Sequence, residues 1–215
     1  LTGHSCVVIK DGATYAEQVT VQGFTNNGSS ITIMADPASG LRPVVAPPAL
    51  STAAFQIANA SVNVQGISAV INQNTPYGVW ASSPNVTILS VNINDPAGKI
   101  TVAGVKLSSF NFVFSSSINV QGVNGLYIDG TSNFVADSTM TGNGGGIGFA
   151  ALYFNGGSSN AVTQSYISDP TGFGAILNNN ANNSSNNHSP TFKWRRRWRQ
   201  LRQRHSLCRQ ASPNN

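Results

Sequence analysis

A four-residue block recurs six times along the central part of this 215-residue chain. Each block begins with a small residue, and its second and fourth residues are apolar. The blocks begin at Ala54, Gly78, Gly104, Gly125, Ala151 and Gly174, so successive starts lie 24, 26, 21, 26 and 23 residues apart. A period of this length is typical of solenoid proteins, in which each repeat forms one coil and stacks on its neighbours.

Each repeat also carries two further short apolar segments. One follows an Asn in four repeats, at Asn85, Asn111, Asn133 and Asn160, and follows Ser61 in the first repeat. The other follows a Ser, at Ser90, Ser117, Ser138 and Ser165. Such short segments cannot bury both faces of a flat sheet, but three of them per coil enclose a continuous core when the coils stack. The repeat therefore predicts three short β-strands per coil.

Alternation along the first strand of each coil predicts which side chains face the core. The second and fourth residues of the block point inward, so the third points outward. The outward position holds Gln56, Trp80, Lys106, Tyr127, Tyr153 and Ile176 in successive coils. The Asn, Ser and Gly residues between strands suit sharp corners, because Asn and Gly tolerate the left-handed backbone conformation.

The composition agrees with an all-β fold. Asn, Ser, Thr and Gly make up 87 of the 215 residues, which is too many poor helix formers for a helical bundle. The 40% of apolar residues suffices for a core, and the low charged fraction argues against disorder. We predict an all-β solenoid with three short strands per coil of about 24 residues.

Three parts are expected along the chain. Residues 1–50 form an N-terminal cap and the first coils, residues 51–190 form the repeat coils, and residues 191–215 form a basic tail outside the fold. Because the chain begins at Leu1 without a Met or a signal peptide, we expect it to be a processed or excised piece of a longer protein.

The repeat and the opening segment together resemble the right-handed parallel β-helix proteins of the pectin-lyase-like fold. That fold is shared by pectate lyases, pectin methylesterases, polygalacturonases, tailspikes and many bacterial surface proteins. The resemblance covers about residues 4–185 and includes the stretch from Gly12 to Glu17 with the apolar strand that follows it. It implies a right-handed, single-stranded parallel β-helix from a bacterial protein that is secreted or displayed at the cell surface.

The catalytic residues of that family have no match here. The Gly12 to Glu17 stretch resembles a methylesterase signature, but the Asp pair, Arg and Gln residues of that chemistry are missing. Polygalacturonases need clustered Asp residues with His and a basic Arg-x-Lys segment, and pectate lyases need several carboxylates for Ca²⁺. Arg42 is the single arginine before residue 191, and the acids are sparse. We predict no catalytic residue, metal site or cofactor, and leave open whether the protein is an enzyme.

Several of the acidic residues have a simpler role in turns. Asp36, Asp95 and Asp169 each precede a Pro, and a Gly follows at the fourth position of the last two turns. This pattern predicts type I turns. Asp129 stands where the next repeat has Asn155, which predicts that its charge is dispensable.

The outward row on the first strand is the candidate binding site. Aromatic side chains at this spacing can form a platform for sugar rings or a partner surface. In the family that the chain resembles, polysaccharide often lies along this face. The predicted ligand contacts are Trp80, Lys106, Tyr127 and Tyr153. The alternative is that loops cover the row, or that the rings stack only for stability.

The net charge of +5 is unevenly distributed, with −3 on residues 1–190 and +8 on residues 191–215. The tail has the composition to bind nucleic-acid phosphates or an anionic membrane. Our preferred explanation is an altered reading frame, since shifting Trp and Arg codons by one base gives mainly Gly or Ala codons. A tag or a natural basic extension is the alternative.

Two further features exclude other classes. No apolar run approaches the roughly 18 residues of a membrane span. Cys6 and Cys208 lie at opposite ends of the chain, which supports neither a disulfide framework nor a metal site.

The predicted function is that of an extracellular β-helix segment with a binding or structural role, such as an adhesin or a carbohydrate-recognising surface protein. Its expected partner is a polysaccharide or cell-surface glycan, with self-association through an uncapped C-terminal coil. One alternative is a polysaccharide lyase or hydrolase whose active site lies in coils absent from this chain. A second is anion or nucleic-acid binding through the basic tail.

Overall fold

A computed structural model describes residues 3–143, 148–178 and 184–186, which form β-strands, turns and loops without any helix. The strands of the described residues, numbered β1 to β22 in chain order, lie in three parallel sheets. Each sheet takes one strand from every coil, so the chain visits the three sheets in turn. The prediction of an all-β solenoid with three short strands per coil is confirmed.

The strands of each sheet follow one another along the axis of the solenoid. Sheet A contains β1 (Ser5–Ile9), β4 (Ile31–Ala35), β7 (Val62–Gln65), β10 (Val86–Leu89), β13 (Phe112–Phe114), β16 (Phe134–Ala136), β19 (Ala161–Thr163) and β22 (Ser184–Asn186). Sheet B contains β2 (Thr14–Tyr15), β5 (Val44–Val45), β8 (Ser68–Val70), β11 (Asn92–Asn94), β14 (Ser117–Asn119), β17 (Thr139–Thr141) and β20 (Tyr166–Ser168). Sheet C contains β3 (Val19–Val21), β6 (Ala53–Ile57), β9 (Thr75–Ala81), β12 (Ile100–Leu107), β15 (Asn124–Ile128), β18 (Ala150–Asn155) and β21 (Phe173–Asn178).

The four-residue blocks of the repeat lie in sheet C, and their register is the predicted one. Gln56 pairs with Trp80, and the pairing continues through Lys106, Tyr127 and Tyr153 to Ile176. The first coil is longer, because Thr20 of β3 pairs with Gln56, which lies 36 residues further along. The extra residues form the loops between β3 and β6.

One continuous core fills the space between the three sheets. In sheet C the second and fourth residues of the block are buried in five coils, as the alternation predicts. In the last described coil Ala175 is buried, whereas Leu177 is 44% exposed. Complete burial of one Val, Leu, Ile or Phe side chain stabilises a fold by about 1.5–3 kcal/mol. The largest buried side chains come from all three sheets and include Phe55, Phe154, Ile88, Leu107, Leu126, Ile118 and Met140.

Steric contacts explain why the blocks begin with a small residue. A Cβ on Gly104 would lie 2.5 Å from Cγ2 of Ile118 and 2.9 Å from the carbonyl oxygen of Gly125 in the next coil. A Cβ on Gly78 would likewise lie 2.6 Å from the carbonyl oxygen of Gly104. At these positions the backbone of one coil approaches the next coil and the core too closely for a side chain.

Buried asparagines line the corner that leads into sheet A. Asn111, Asn133 and Asn160 are each at most 1% exposed. The Asn133 side-chain oxygen accepts the backbone N–H of Asn111 at 2.9 Å, and the Asn160 oxygen accepts that of Asn133 at 2.8 Å. The row thus links neighbouring coils through hydrogen bonds between side-chain oxygens and backbone N–H groups.

The alignment of Asn85 with this row is wrong. Thr87 pairs with Phe112, so Val86 and not Asn85 stacks on Asn111. Asn85 lies one residue earlier, where it is exposed and has a positive φ of 58°. The buried position is therefore a valine in β7 and β10, at Val62 and Val86, and an asparagine only from Asn111 onward.

Serines line the corner that leads into sheet B in the same way. Ser116 and Ser138 are at most 4% exposed, and the Ser138 hydroxyl accepts the backbone N–H of Ser116 at 3.2 Å. Ser165 continues this row by accepting the N–H of Ser138 at 3.2 Å. The predicted equivalence of Ser117 with Ser138 is wrong by one residue, because Ser117 pairs with Thr139.

The Asp-Pro sequences lie at turns, as predicted. The N–H of Ser39 donates to the carbonyl oxygen of Asp36 at 3.2 Å, which closes the first turn. Asp95 is only 1% exposed, and its carboxylate accepts the backbone N–H groups of Lys99 at 2.6 Å and of Ile100 at 3.1 Å. Asp169 accepts the N–H of Gly172 at 2.7 Å.

The remaining predictions concern the ends of the chain. The basic tail at residues 191–215 and Cys208 lie outside the described residues. Cys6 in β1 is a free, exposed thiol. Among residues 3–143, 148–178 and 184–186, no helix is long and apolar enough to cross a membrane.

Candidate functional site

The outward row of sheet C forms one line parallel to the axis of the solenoid, which we call the aromatic row. It consists of Gln56, Trp80, Lys106, Tyr127, Tyr153 and Ile176, which pair in register from coil to coil. All six residues are partly exposed. The structure therefore brings together the four predicted contact residues and leaves each of them within reach of solvent.

Trp80 is flanked by a second aromatic residue that the repeat does not predict. The Tyr77 ring centroid lies 5.4 Å from that of Trp80, and the two planes are tilted by 36°. Tyr77 lies just before the four-residue block, in the part of β9 that extends upstream of it. Inspecting the residue before the small position would have found this ring in the sequence.

Lys106 of β12 lies between the aromatic rings of its two neighbouring strands, β9 and β15. Its Nζ atom lies 5.8 Å from the ring centroid of Tyr77, 6.0 Å from that of Trp80 and 5.6 Å from that of Tyr127. At these distances the ring quadrupoles attract the ammonium group, by about 0.5–1 kcal/mol at exposed sites. The ammonium of Lys106 thereby interacts both with the rings of β9 and with the ring of Tyr127 in β15.

Asp129 completes this arrangement from the end of β15. Its Oδ2 atom lies 3.0 Å from Nζ of Lys106, and the two side chains are 31% and 23% exposed. The sequence did not anticipate this ion pair, in which the Asp129 carboxylate neutralises the ammonium of the preceding coil; that its charge is dispensable stays a prediction. The next coils carry Asn155 and no lysine at the paired position, so they need no such charge.

Two groups in the row have shifted pKa values. Burial lowers the pKa of the Lys106 ammonium, but its hydrogen bond to Asp129 and the charge of that carboxylate outweigh burial and raise the pKa. Burial raises the pKa of the Tyr127 phenol, and the charge of Asp129 raises it further. At neutral pH the row therefore presents a charged ammonium and a neutral phenol.

The upper part of the row is a pair of stacked phenol rings. The centroids of Tyr127 and Tyr153 are 5.2 Å apart, and their planes differ by only 3°. Asn178 donates a hydrogen bond from Nδ2 to the Tyr153 hydroxyl at 3.2 Å and another to Oδ1 of Asn155 at 3.2 Å. The two rings thus stack on each other, and polar contacts fix the orientation of the Tyr153 ring.

Polar side chains border the row on one side. The residue that follows the block lies two positions after the outward one, and it is Ser82, Ser108, Asp129, Asn155 and Asn178 in successive coils. The Ser82 hydroxyl donates to the carbonyl oxygen of Ile57 at 3.2 Å. Proteins bind sugars and other polar ring compounds with aromatic side chains that have hydroxyl, amide or carboxylate groups beside them.

The lower end of the row is polar. Gln18 donates from Nε2 to Oε1 of Gln56 at 2.8 Å, and its own Oε1 accepts the backbone N–H of Thr52 at 2.7 Å. Gln56 is therefore held in place by the first coil. The apolar platform begins at Trp80 and ends at Ile176.

A second aromatic cluster lies on sheet A, where the repeat did not single out a site. Phe112 and Phe114 have ring centroids 6.2 Å apart, and Phe114 lies 5.7 Å from Phe134. Phe134 is 36% exposed, and Phe110 at the preceding corner is 51% exposed. Among the described residues, no ion pair lies beside these rings, in contrast to the aromatic row. The rings of Phe112, Phe114 and Phe134 lie on strands of two adjacent coils.

Within the described part of the chain, no group of three or more His, Cys, Asp or Glu side chains is placed to hold a metal ion. Comparison with protein-family models, with curated proteins and with solved structures finds no match to this chain. The candidate site thus rests on its own geometry.

Proposed function

We propose that the aromatic row of sheet C is a glycan-binding surface, and that the protein is a carbohydrate-recognising β-solenoid of a cell surface or secreted protein. The observation that carries the proposal is the aligned set of partly exposed rings, with Tyr77 and Trp80 on β9 and with Tyr127 and Tyr153 on the neighbouring strands β15 and β18. Sugar rings stack on such faces through their C–H groups while their hydroxyls bond to polar side chains beside the ring.

The geometry of the row suits a chain-like ligand. Neighbouring strands in a sheet lie about 4.8 Å apart, so the platform from Trp80 to Tyr153 extends over about 14 Å. The row runs straight along the axis because the coils stack in register. A polysaccharide lying along the row contacts several coils at once, and each added sugar gains a further stacking surface.

The proposal is tested by measuring the binding of soluble polysaccharides with isothermal titration calorimetry. The panel contains neutral glucans, mannans and galactans together with polygalacturonate and alginate. We expect at least one polymer to bind, with affinity reduced about tenfold or more by Trp80→Ala and by Tyr127→Ala, since loss of a central aromatic contact typically costs 1–3 kcal/mol or more.

Phe134→Ala is the matched control, because it removes a partly exposed aromatic ring from sheet A instead of sheet C. We expect this variant to bind like the unchanged protein. Equal affinities in Trp80→Ala and the unchanged protein would place any binding elsewhere and overturn the proposal. Release of unsaturated or reducing ends from the polymer would instead support an enzyme.

A further inference from the structure

We infer that the aromatic row selects neutral glycans over polyuronates, an inference that rests on the proposed glycan-binding function. The pectin-lyase-like resemblance of the sequence leads to the opposite expectation, because pectate and polygalacturonate are anionic. The charges of this face carry the inference.

Lys106 is the one cation of the row, and its charge is already neutralised. Its Nζ atom lies 3.0 Å from Oδ2 of Asp129 and faces the rings of Tyr77, Trp80 and Tyr127. A uronate carboxylate that approached this ammonium would meet the Asp129 carboxylate within the same few ångströms. Like charges at that separation repel, so the anion must displace Asp129 before it gains an ion pair.

Among the described residues, no other cation of the row or its polar border compensates for this repulsion. Apart from Lys106 and Asp129, the row residues and their polar border are uncharged, namely Gln56, Trp80, Tyr127, Tyr153, Ile176, Ser82, Ser108, Asn155 and Asn178. Lys99 precedes β12 and lies seven residues before Lys106, about 23 Å along an extended strand. Arg42 donates to the carbonyl oxygen of Ser90 at 3.1 Å, at the corner between sheets A and B.

A neutral sugar meets no such obstacle. Its C–H groups can pack against the partly exposed rim of the stacked Tyr127 and Tyr153 rings, whose centroids are 5.2 Å apart. Its hydroxyls can donate to the Asp129 carboxylate and exchange bonds with the side chains of Ser108 and Asn155. The ion pair stays intact, and its role is to hold the rings of β9 and β15 in place while the face carries no net charge.

The test compares two substitutions that change the net charge of the protein equally. Asp129→Asn frees the Lys106 ammonium in the row, whereas Asp137→Asn removes an exposed carboxylate at the corner after β16, away from sheet C. Affinities are measured at low salt for polygalacturonate and for the neutral polymer of the panel that binds best. Because residues 191–215 carry +8, only the part of polygalacturonate binding that Trp80→Ala abolishes is scored.

For the unchanged protein we expect Trp80-dependent binding of the neutral polymer and none of polygalacturonate. Asp129→Asn should create Trp80-dependent polygalacturonate binding that weakens about threefold or more when salt is raised, since the new contact is ionic. It should also weaken binding of the neutral polymer, because a hydroxyl acceptor is lost. Asp137→Asn should change neither affinity. Circular dichroism and the melting temperature of each variant verify that it is folded.

Two results separate the inference from the function on which it rests. Trp80-dependent binding of polygalacturonate to the unchanged protein, as tight as that of the best neutral polymer, overturns the selectivity but keeps the glycan-binding row. An absence of Trp80-dependent binding for every polymer overturns the proposed function and the selectivity together.

Discussion

At the scale of single residues, buried polar side chains determine how one coil joins the next. Asn111, Asn133 and Asn160 lie inside the solenoid, where the backbone N–H groups at a corner would otherwise have no partner. An unsatisfied buried N–H costs about 1–3 kcal/mol, so the amide oxygen of each Asn stabilises the coil before it. These three corners into sheet A therefore hold a side chain with an acceptor oxygen.

Replacing Asn133 by Ala should therefore lower the free energy of unfolding by about 1–3 kcal/mol. The change leaves the N–H of Asn111 without its acceptor and opens a small cavity. Urea unfolding followed by circular dichroism measures the loss. Asn119→Ala is the matched control, since Asn119 is an exposed asparagine on sheet B and should cost less than about 0.5 kcal/mol. Equal losses in both variants would show that the buried row does not stabilise the fold.

At the scale of the strand, the steric requirement at the start of each sheet C block explains the most regular feature of the sequence. Gly78, Gly104 and Gly125 lie where a Cβ would be within 3 Å of a carbonyl oxygen in the next coil. Sheet C therefore requires glycine at this position in these three coils, and the outward residue of the row follows two positions later. The repeat that reveals the fold also sets the spacing of the candidate site.

Gly104→Ala should accordingly destabilise the protein by about 1–3 kcal/mol through overpacking against Ile118 and Val120. Differential scanning calorimetry should show a melting temperature lower by several degrees. Gly174→Ala is the control, because among the described residues a Cβ there meets nothing within 4 Å and the residue has no positive φ. A control variant that melts as low as Gly104→Ala would contradict the steric explanation.

The sequence could predict sheet C better than sheets A and B for a physical reason. In sheet C the small residue fixes the register, whereas Asn and Ser occur at several adjacent corner positions. Aligning Asn111 with Asn85 puts Phe112 and Phe114 at the inward positions of Val86 and Ile88, but the structure turns both rings outward. Coil lengths vary, so sequence spacing alone cannot decide between neighbouring residues.

The composition of the site was only partly predictable as well. The outward alternation gives Trp80, Lys106, Tyr127 and Tyr153 directly from the sequence. The contact of Asp129 with Lys106 depends on the side chains of two neighbouring coils and on which way each one leans. Such a contact is visible only once the register and the side-chain directions are known.

At the scale of the whole molecule, each coil contacts mainly the coil before it and the coil after it. Stability in such a solenoid is close to a sum of coil terms and interface terms. The coil between Phe112 and Asn133 can then be removed as a unit, because Phe112 pairs with Phe134 and Ser117 with Thr139. The join brings Asn111 next to Phe134, which keeps the order of the three sheets.

A protein lacking residues 112–133 should therefore fold, with a β-type circular dichroism spectrum and a single cooperative unfolding transition at lower temperature. The control deletes residues 112–122, which removes strands β13 and β14 but leaves β15 in place. The control should be unfolded or aggregated, since its shortened chain cannot pass around the core from β12 to β15. Folding of both variants, or of neither, would contradict coil-by-coil stacking.

The most direct test of the glycan-binding row is the fluorescence of Trp80 itself. Trp194 and Trp198 are the other tryptophans of the chain, so the variant Trp194→Phe/Trp198→Phe leaves Trp80 as the single reporter. Titration with the polymer that binds best by calorimetry should change the emission of Trp80, with the same dissociation constant as calorimetry. Binding seen by calorimetry without any change in Trp80 emission would show that the ligand lies elsewhere on the solenoid.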